Sequence, residues 1–355
     1  MECIQNTSAG RWRDTLLVPG SFWDILQYIM IRVLLPVFSL AGQLAFSQTP
    51  VTPKPPFTAA EAERGKAIAE KSAEIRRDIK NMRDPAEPFK IMGNLYFVGV
   101  ANGEVYLLTS PQGHILFGAG FPDTVDQVQK NIETVGFKLT DVKAILVNHN
   151  HQDQSGGTAT LKQRSGAQVM AGFAEIPYLE HGGVLPQGAN VAPGGGGGGY
   201  PPVKVDRALF DGDVVKVGPL TVNIYLAPGH SPSPTSFLYP VKEGSKTYRV
   251  FEFCCWEYPD DLSRSFFINE ASARHNLELF RKVLPVDIYL ETGAYGWSGA
   301  LNQPSGTMQE RMARVKENHM LFANPEIFKS WSAAREVELE EKLAKLKASG
   351  KPPYN

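Results

Sequence analysis

The segment "ILVNHNHQDQSGG", from Ile145 to Gly157, carries the strongest chemical signal in this chain. An apolar run leads into it and predicts a buried strand, and the two glycines at its end predict the opening of a helix. In an extended segment, side chains two residues apart point to the same side, so His149 and His151 can hold one ion. Imidazole and carboxylate are both zinc ligands, and Asp153 is near enough to take part. The segment therefore predicts a zinc site at the end of a strand.

The composition of the whole chain is that of an ordinary globular protein. The chain has 355 residues, a formal net charge of −1 and 43% hydrophobic residues, which fits one large domain with extensions. A near-neutral charge argues against a general nucleic-acid binder, which needs a basic face. We expect a monomer whose partner is a small-molecule substrate, with no membrane association beyond an export signal.

Residues 1–47 predict a targeting segment. From Met30 the chain reads "MIRVLLPVFSLAGQLAFSQTP", with one arginine, a short apolar stretch and small residues before a predicted cleavage at Gln48. We predict that Met30 is the true start and that the protein is exported to the periplasm or the extracellular space. The alternative is a signal anchor that begins at Phe22, although charged and polar residues interrupt that run.

Three further regions follow the targeting segment. Residues 48–57 predict a proline-rich linker, and residues 58–88 predict an N-terminal helix, in which Thr58 and Glu61 have the spacing of a capping box. Residues 89–348 alternate short strands with helices, which predicts sheet layers covered by helices in one main domain.

Two stretches of the main domain have a distinctive composition. The loop "GGVLPQGANVAPGGGGGGY", from Gly182 to Tyr200, predicts either a flexible surface loop or a mobile flap beside the site. A charged amphipathic helix is predicted from Trp331 to Ala348.

His230 is a further metal-ligand candidate, and Cys254 and Cys255 are two adjacent thiols of the main domain. His230 follows Pro228-Gly229 in a turn after a predicted strand, where a side chain can project. The two cysteines are poorly placed for an ordinary structural disulfide. Strand alternation predicts that one thiol faces the cleft; the alternative is that both are small buried residues.

The chain resembles the metallo-β-lactamase superfamily from about Phe89 to Leu346. The resemblance rests on "HNHQDQ", "NLYFVG", "YPPVKVDRALFDGDVVKVG" and "APGHSPSPTSF", and within the superfamily it favours the subclass B3 β-lactamases. It implies an α+β fold, an αββα sandwich in which two mixed β-sheets lie between helical layers. It also implies a zinc site at one edge, between the sheets.

The resemblance also implies roles for individual residues. His149, His151 and His230 would bind a first zinc ion, while Asp153 would belong to a second ion and orient the nucleophile. The superfamily has a histidine where this chain has Gln154, which we keep as a candidate metal residue. It also has an aspartate where this chain has Gly118.

Another ligand of the second ion is missing from its usual place. The family's last histidine has no counterpart in "GAYGW", which follows the predicted strand "VDIYLET". Other β-lactamases of the superfamily use a cysteine near "VFEFCCWEY", where subclass B3 has serine. A thiolate is a better zinc ligand than a glutamine amide, so a thiol is a candidate ligand, with Cys255 ahead of Cys254 on register.

The predicted function is a zinc-dependent, β-lactamase-like hydrolase. It would use metal-bound hydroxide to attack the amide or ester carbonyl of a β-lactam, a lactone or an ester. The simplest version of this enzyme binds one zinc ion, and the sequence leaves open whether a second ion binds. The alternative is a catalytically decayed protein of the same fold that acts as an exported binding protein, which Gln154 and the missing histidine favour.

Overall fold

The computed structural model describes residues 57–184, 199–256, 258–259, 262, 268–292, 298–304 and 306–350. The predicted targeting segment, all but the last residue of the predicted linker and most of the glycine-rich loop lie outside these residues. Within the described ranges, no helix combines the length and the apolar character needed to cross a membrane.

The first sheet has seven strands, which lie side by side in chain order. Its first four strands form antiparallel neighbours, and its last four run parallel to one another. The strands are β1 (Phe89–Met92), β2 (Leu95–Phe97), β3 (Tyr106–Leu108), β4 (His114–Phe117), β5 (Val142–Val147), β6 (Gln168–Gly172) and β7 (Arg207–Leu209).

The second sheet has five strands in the order β12-β11-β10-β9-β8. β11 and β12 are parallel, and the other neighbours are antiparallel. The strands are β8 (Val214–Val217), β9 (Leu220–Leu226), β10 (Thr235–Glu243), β11 (Lys246–Phe253) and β12 (Ile288–Glu291).

Helices cover the outer faces of the two sheets. The helices are α1 (Ala59–Asp78), α2 (Val125–Thr134), α3 (Gln152–Ser155), α4 (Thr158–Ser165), α5 (Ile176–Leu179), α6 (Glu270–Val283), α7 (Ser298–Leu301), α8 (Met308–Glu317) and α9 (Pro325–Ala348). Apolar residues of α2 and α4 pack on the seven-stranded sheet, and those of α6 and α9 pack on the five-stranded sheet.

Aromatic contacts define the layers. Between the sheets, Phe117 of β4 stacks on Tyr239 of β10 with ring centroids 4.8 Å apart. On the outer face of the second sheet, Phe253 of β11 packs against Phe280 of α6 and Trp331 of α9. Two sheets between two helical layers confirm the predicted αββα sandwich.

Strand β5 leads directly into the motif, and its sequence explains its central position. Ala144 and Leu146 pack into the core between the sheets, while Ile145 and Val147 pack into the core under the outer helices. A parallel strand buried on both faces needs such a continuous apolar run. The strand therefore holds the segment that follows it at a fixed place on the edge of the sheet.

The predicted capping box at the start of α1 is confirmed. The Thr58 amide donates to Oε2 of Glu61 at 2.7 Å, and the Glu61 amide donates to Oγ1 of Thr58 at 3.2 Å. The helix ends at Asp78, well before the end of the predicted segment at residue 88.

The last helix begins earlier than predicted. It starts at Pro325 rather than at Trp331, with the side chain of Asn324 accepting from the Glu326 amide at 3.1 Å. An asparagine cap followed by proline at the first helical position is a start signal in its own right.

Candidate metal centre

Three imidazole rings from two sheets meet at one edge of the sandwich. His149 and His151 follow β5, and His230 lies in the turn between β9 and β10. The ring centroids are 4.7 Å apart for His149 and His151, 4.7 Å for His149 and His230, and 4.5 Å for His151 and His230. The structure thus brings together the three histidines that the sequence predicted for the first ion.

The orientation of His149 leaves one nitrogen for a ligand. Its Nδ1 lies 2.9 Å from Oδ1 of Asn148, an acceptor that places the ring proton on Nδ1. Among the residues that the structure describes, no hydrogen-bond partner is present for the buried Nε2. A buried polar atom without a partner is costly, and a metal ion bound to Nε2 would remove that cost.

Asn148 is itself held in one orientation. Its amide Nδ2 donates to Oγ1 of Thr292 at 3.1 Å and to Oε1 of Gln154 at 3.3 Å. With both protons used in this way, Oδ1 is the atom that faces His149. Asn148 therefore sets the tautomer of a predicted ligand, a role that no motif in the sequence indicates.

The charge state of His149 also suits a metal ligand. Burial lowers the pKa of His149 well below its ordinary value, and the neighbouring imidazoles of His230 and His151 lower it further. A metal ligand must be the neutral imidazole, so this environment favours the form that binds a cation.

The potential ligands form two clusters that share His149. His149, His151 and Asp153 make one, and His149, His230 and Cys255 make the other; within each cluster the ligand atoms lie within 4.8 Å of one another. Imidazole, carboxylate and thiolate are the groups that zinc prefers, so these residues fit the ion that the resemblance implies. The individual roles stay predictions.

Both cysteine sulfurs lie beside the histidines. The Sγ atoms of Cys254 and Cys255 are 3.0 Å apart, and Sγ of Cys254 is 3.5 Å from Nδ1 of His149. The prediction that one thiol faces the cleft stays a prediction. Cys255 lies in a potential ligand cluster, while Cys254 approaches Nδ1 of His149; the alternation argument itself does not apply, because β11 ends at Phe253. Both thiols are buried, and neither forms a disulfide bond within the part of the chain that the structure describes.

The environment of Cys255 favours its protonated form. Burial and the neighbouring Cys254 raise the pKa of Cys255 well above its ordinary value, while the imidazole of His230 acts against them. Binding of this sulfur to a cation would therefore release a proton.

Gln154 is buried on α3, and its amide fits against Gly118. Oε1 of Gln154 accepts from Asn148 and lies 2.7 Å from the point where a Cβ at position 118 would be. Gly118 has φ +72, in the left-handed region. The predicted metal role of Gln154 stays a prediction, and the side chain has a structural role as well.

Two supporting residues were missed in the sequence. Glu175 is completely buried after β6 and accepts hydrogen bonds from Asn150 and from the turn that carries His230. The hydroxyl of Tyr200 donates to the carbonyl oxygen of Asn150 at 2.5 Å. A single carboxylate in the otherwise apolar segment "VMAGFAEIP" was the available signal for Glu175.

Fold and site together are those of a metal-dependent hydrolase, and the comparisons agree. The family model described as the metallo-beta-lactamase superfamily matches residues 98–243. The chain belongs to the metallo-β-lactamase superfamily, and its structural neighbours are subclass B3 metallo-β-lactamases.

Three solved structures illustrate this similarity. BJP-1, a subclass B3 enzyme of Bradyrhizobium japonicum, is 28% identical over 77% of this chain and 99% of its own, with a TM-score of 0.61. MEM-A1, a subclass B3 enzyme from a soil metagenome library, is 31% identical over 76% of this chain and 100% of its own, with a TM-score of 0.62. A Cronobacter sakazakii metallo-β-lactamase with a HARLDQ motif is 28% identical over 74% of this chain and 100% of its own, with a TM-score of 0.63.

The similarity to curated proteins covers less of each chain. A hydroxyacylglutathione hydrolase of Bradyrhizobium sp. (strain ORS 278) is 30% identical over 134 residues, which are 38% of this chain and 42% of that protein. The hydroxyacylglutathione hydrolase of Rhodopseudomonas palustris (strain BisB5) is 28% identical, also over 38% of this chain and 42% of that protein. The match thus spans less than half the length of these relatives.

Proposed function

We propose that this protein is a zinc-dependent hydrolase, β-lactamase-like, that acts on an amide or ester carbonyl of a small molecule. The meeting of His149, His151 and His230 at the edge between the two sheets carries the proposal. We also propose that it is exported and acts as a monomer.

The three histidines and Asp153 have different roles in the proposed hydrolysis. A zinc ion bound here would supply a nucleophile at neutral pH, because zinc lowers the pKa of its water to about 7. The three histidines, all of them buried, would hold the ion. Asp153 lies in the first turn of α3, half-buried and next to His149 and His151, where its carboxylate can accept a hydrogen bond and orient the attacking water.

The extent of the similarity favours a β-lactam as substrate. The structures of the subclass B3 β-lactamases BJP-1 and MEM-A1 match this chain over 99% and 100% of their own length. The HARLDQ motif of the Cronobacter metallo-β-lactamase ends in Asp-Gln, as HNHQDQ does at Asp153 and Gln154, so Gln154 has a counterpart in a protein of that name.

A comparison of two substrates tests the proposal. Purified protein with zinc is expected to hydrolyse a chromogenic cephalosporin, to lose this activity with a chelator, and to regain it when zinc is added back. A hydroxyacyl thioester of glutathione, assayed in parallel, is expected to be turned over more slowly. Hydrolysis of the thioester alone would contradict the β-lactam assignment.

A protein that binds zinc and cleaves neither substrate would instead fit the exported binding protein. One observation favours that alternative: the amide oxygen of Gln154 accepts a hydrogen bond from Asn148, so it is already engaged within the protein.

Replacement of each cysteine tests whether a thiolate binds metal. Cobalt-loaded protein is expected to show a sulfur-to-cobalt absorption band that disappears in Cys255→Ser and persists in Cys254→Ser. The reason is that Cys255 lies in a potential ligand cluster, whereas Cys254 approaches the Nδ1 of His149 that already faces Asn148. Persistence of the band in Cys255→Ser would contradict ligation by this sulfur.

A further inference from the structure

Glu175 lies in a one-turn 3-10 helix, Phe173–Glu175, directly after β6, and none of its surface is exposed. A carboxylate in such a place is costly unless it is fully hydrogen-bonded. It is not a neighbour of the predicted ligands in sequence, and neither potential ligand cluster includes it. The role of Glu175 must therefore be sought in its hydrogen-bond partners.

The two oxygens of Glu175 bind two different segments. Oε2 accepts from the backbone amide of Asn150 at 3.1 Å and from the side-chain amide of the same residue at 2.5 Å. Oε1 accepts from the hydroxyl of Ser231 at 2.7 Å and from the backbone amide of Ser233 at 2.6 Å. All four partners donate, which is the pattern that an ionised carboxylate satisfies.

These two segments are the ones that carry the histidines. Asn150 stands between His149 and His151 at the end of β5, and Ser231 directly follows His230 in the turn between β9 and β10. One oxygen of Glu175 therefore holds the segment that carries the first pair of imidazoles, and the other holds the turn that carries the third. The two segments follow strands of different sheets and share one direct backbone hydrogen bond, from the Thr235 amide to the carbonyl oxygen of Asn148 at 2.6 Å, so Glu175 adds a second link between them.

We propose that Glu175 is a positioning residue that sets the distance between the two histidine-bearing segments before a metal ion binds. The inference rests on the proposed metal-dependent function, but it adds a residue and a role to it. A site assembled in advance binds more tightly, because the ion does not have to order the two segments itself.

Glu175→Gln tests the proposal with little change in volume. An amide has one accepting oxygen and a donating NH₂ group, so it can serve one segment but must place donors against the donors of the other. We expect zinc affinity, measured by competition with a chromophoric chelator, to fall about 10- to 100-fold. The number of ions bound at saturating zinc is expected to stay the same, and the visible spectrum of cobalt-loaded protein is expected to change because the ligand geometry changes.

Two further variants keep the test decisive. Ser231→Ala removes a single donor and is expected to lower zinc affinity about 2- to 10-fold, which matters if Glu175→Gln does not fold. Glu243→Gln is the control: Glu243, at the end of β10, accepts from the Gly93 amide at 2.6 Å and pairs with Lys90 at 3.0 Å, so it joins β10 to the β1–β2 hairpin. Its zinc affinity and cobalt spectrum are expected to match those of the unmodified protein.

Wild-type affinity in both Glu175→Gln and Ser231→Ala would overturn the proposal. An equal loss of affinity in Glu243→Gln would overturn it as well, because the effect would then be general destabilisation. If the unmodified protein binds no zinc, the proposed function itself fails, and that result is distinct from the other two.

Discussion

His230→Ala is expected to abolish tight zinc binding and hydrolysis together. His230 is the one histidine of the three that comes from the second sheet, so its loss leaves two imidazoles at the end of β5. Replacement of a residue that only supports a ligand costs about 10- to 100-fold in metal affinity, and loss of a ligand itself should cost more than about 100-fold. Chelator competition measures the affinity, and the chromogenic cephalosporin measures the activity.

His181→Ala is the control for the loss of a histidine as such. His181 is exposed, and its Nδ1 lies 2.7 Å from the carbonyl oxygen of Pro177, so its ring belongs to the local turn. Its replacement is expected to change neither zinc affinity nor activity. Tight zinc binding by His230→Ala would show that the three imidazoles do not act as one site.

Gly118→Ala is expected to lower the free energy of unfolding by about 2–5 kcal/mol. The left-handed conformation at φ +72 contributes about 1–2 kcal/mol of this loss for any residue with a Cβ. The added Cβ would lie 2.7 Å from Oε1 of Gln154 and 2.9 Å from the carbonyl oxygen of Glu104, and overpacking of this kind costs about 1–3 kcal/mol. Denaturant unfolding of the purified variants measures the loss.

Gly136→Ala separates the two contributions. Gly136 has φ +91, but nothing lies within 4 Å of the position that its Cβ would take. Its replacement is expected to cost only the conformational part, about 1–2 kcal/mol. The double variant Gly118→Ala with Gln154→Ala is expected to be more stable than the sum of the two single effects predicts. Equal losses for Gly118→Ala and Gly136→Ala would contradict the steric explanation.

The pair formed by Gly118 and Gln154 connects two departures from the superfamily that look independent in the sequence. The superfamily has an aspartate and a histidine at these positions. In this structure the amide of Gln154 occupies the space that a side chain at position 118 would need, and it also holds Asn148. The two positions are therefore neighbours in the fold, although 36 residues separate them in the sequence.

Much of the fold was predictable because its signals are local. The apolar run of β5, the Thr58 and Glu61 capping box and the alternation of strands with helices all depend on residues close together in the chain. The errors arose at element ends. The last helix begins at Pro325, upstream of its predicted start, and β11 stops at Phe253, so strand alternation does not extend to the cysteines.

Some features of the site follow from residues close together in the chain, and others depend on contacts between distant residues. The types of ligand, their spacing in "HNHQDQ" and the strand that delivers them are properties of neighbouring residues, and the amino-acid sequence establishes them without coordinates. The meeting of His230 with that segment is different: the resemblance implied it, but distances came only from the folded chain.

The role of Glu175 depended on the folded chain altogether. Its hydrogen bonds reach 25 residues back to Asn150 and 56 and 58 residues forward to Ser231 and Ser233. No periodicity or spacing rule extends over such separations, because they are set by how the two sheets pack rather than by the backbone between the residues. The sequence therefore specifies which groups can bind a metal ion, and the packing of the sheets specifies which groups hold them together.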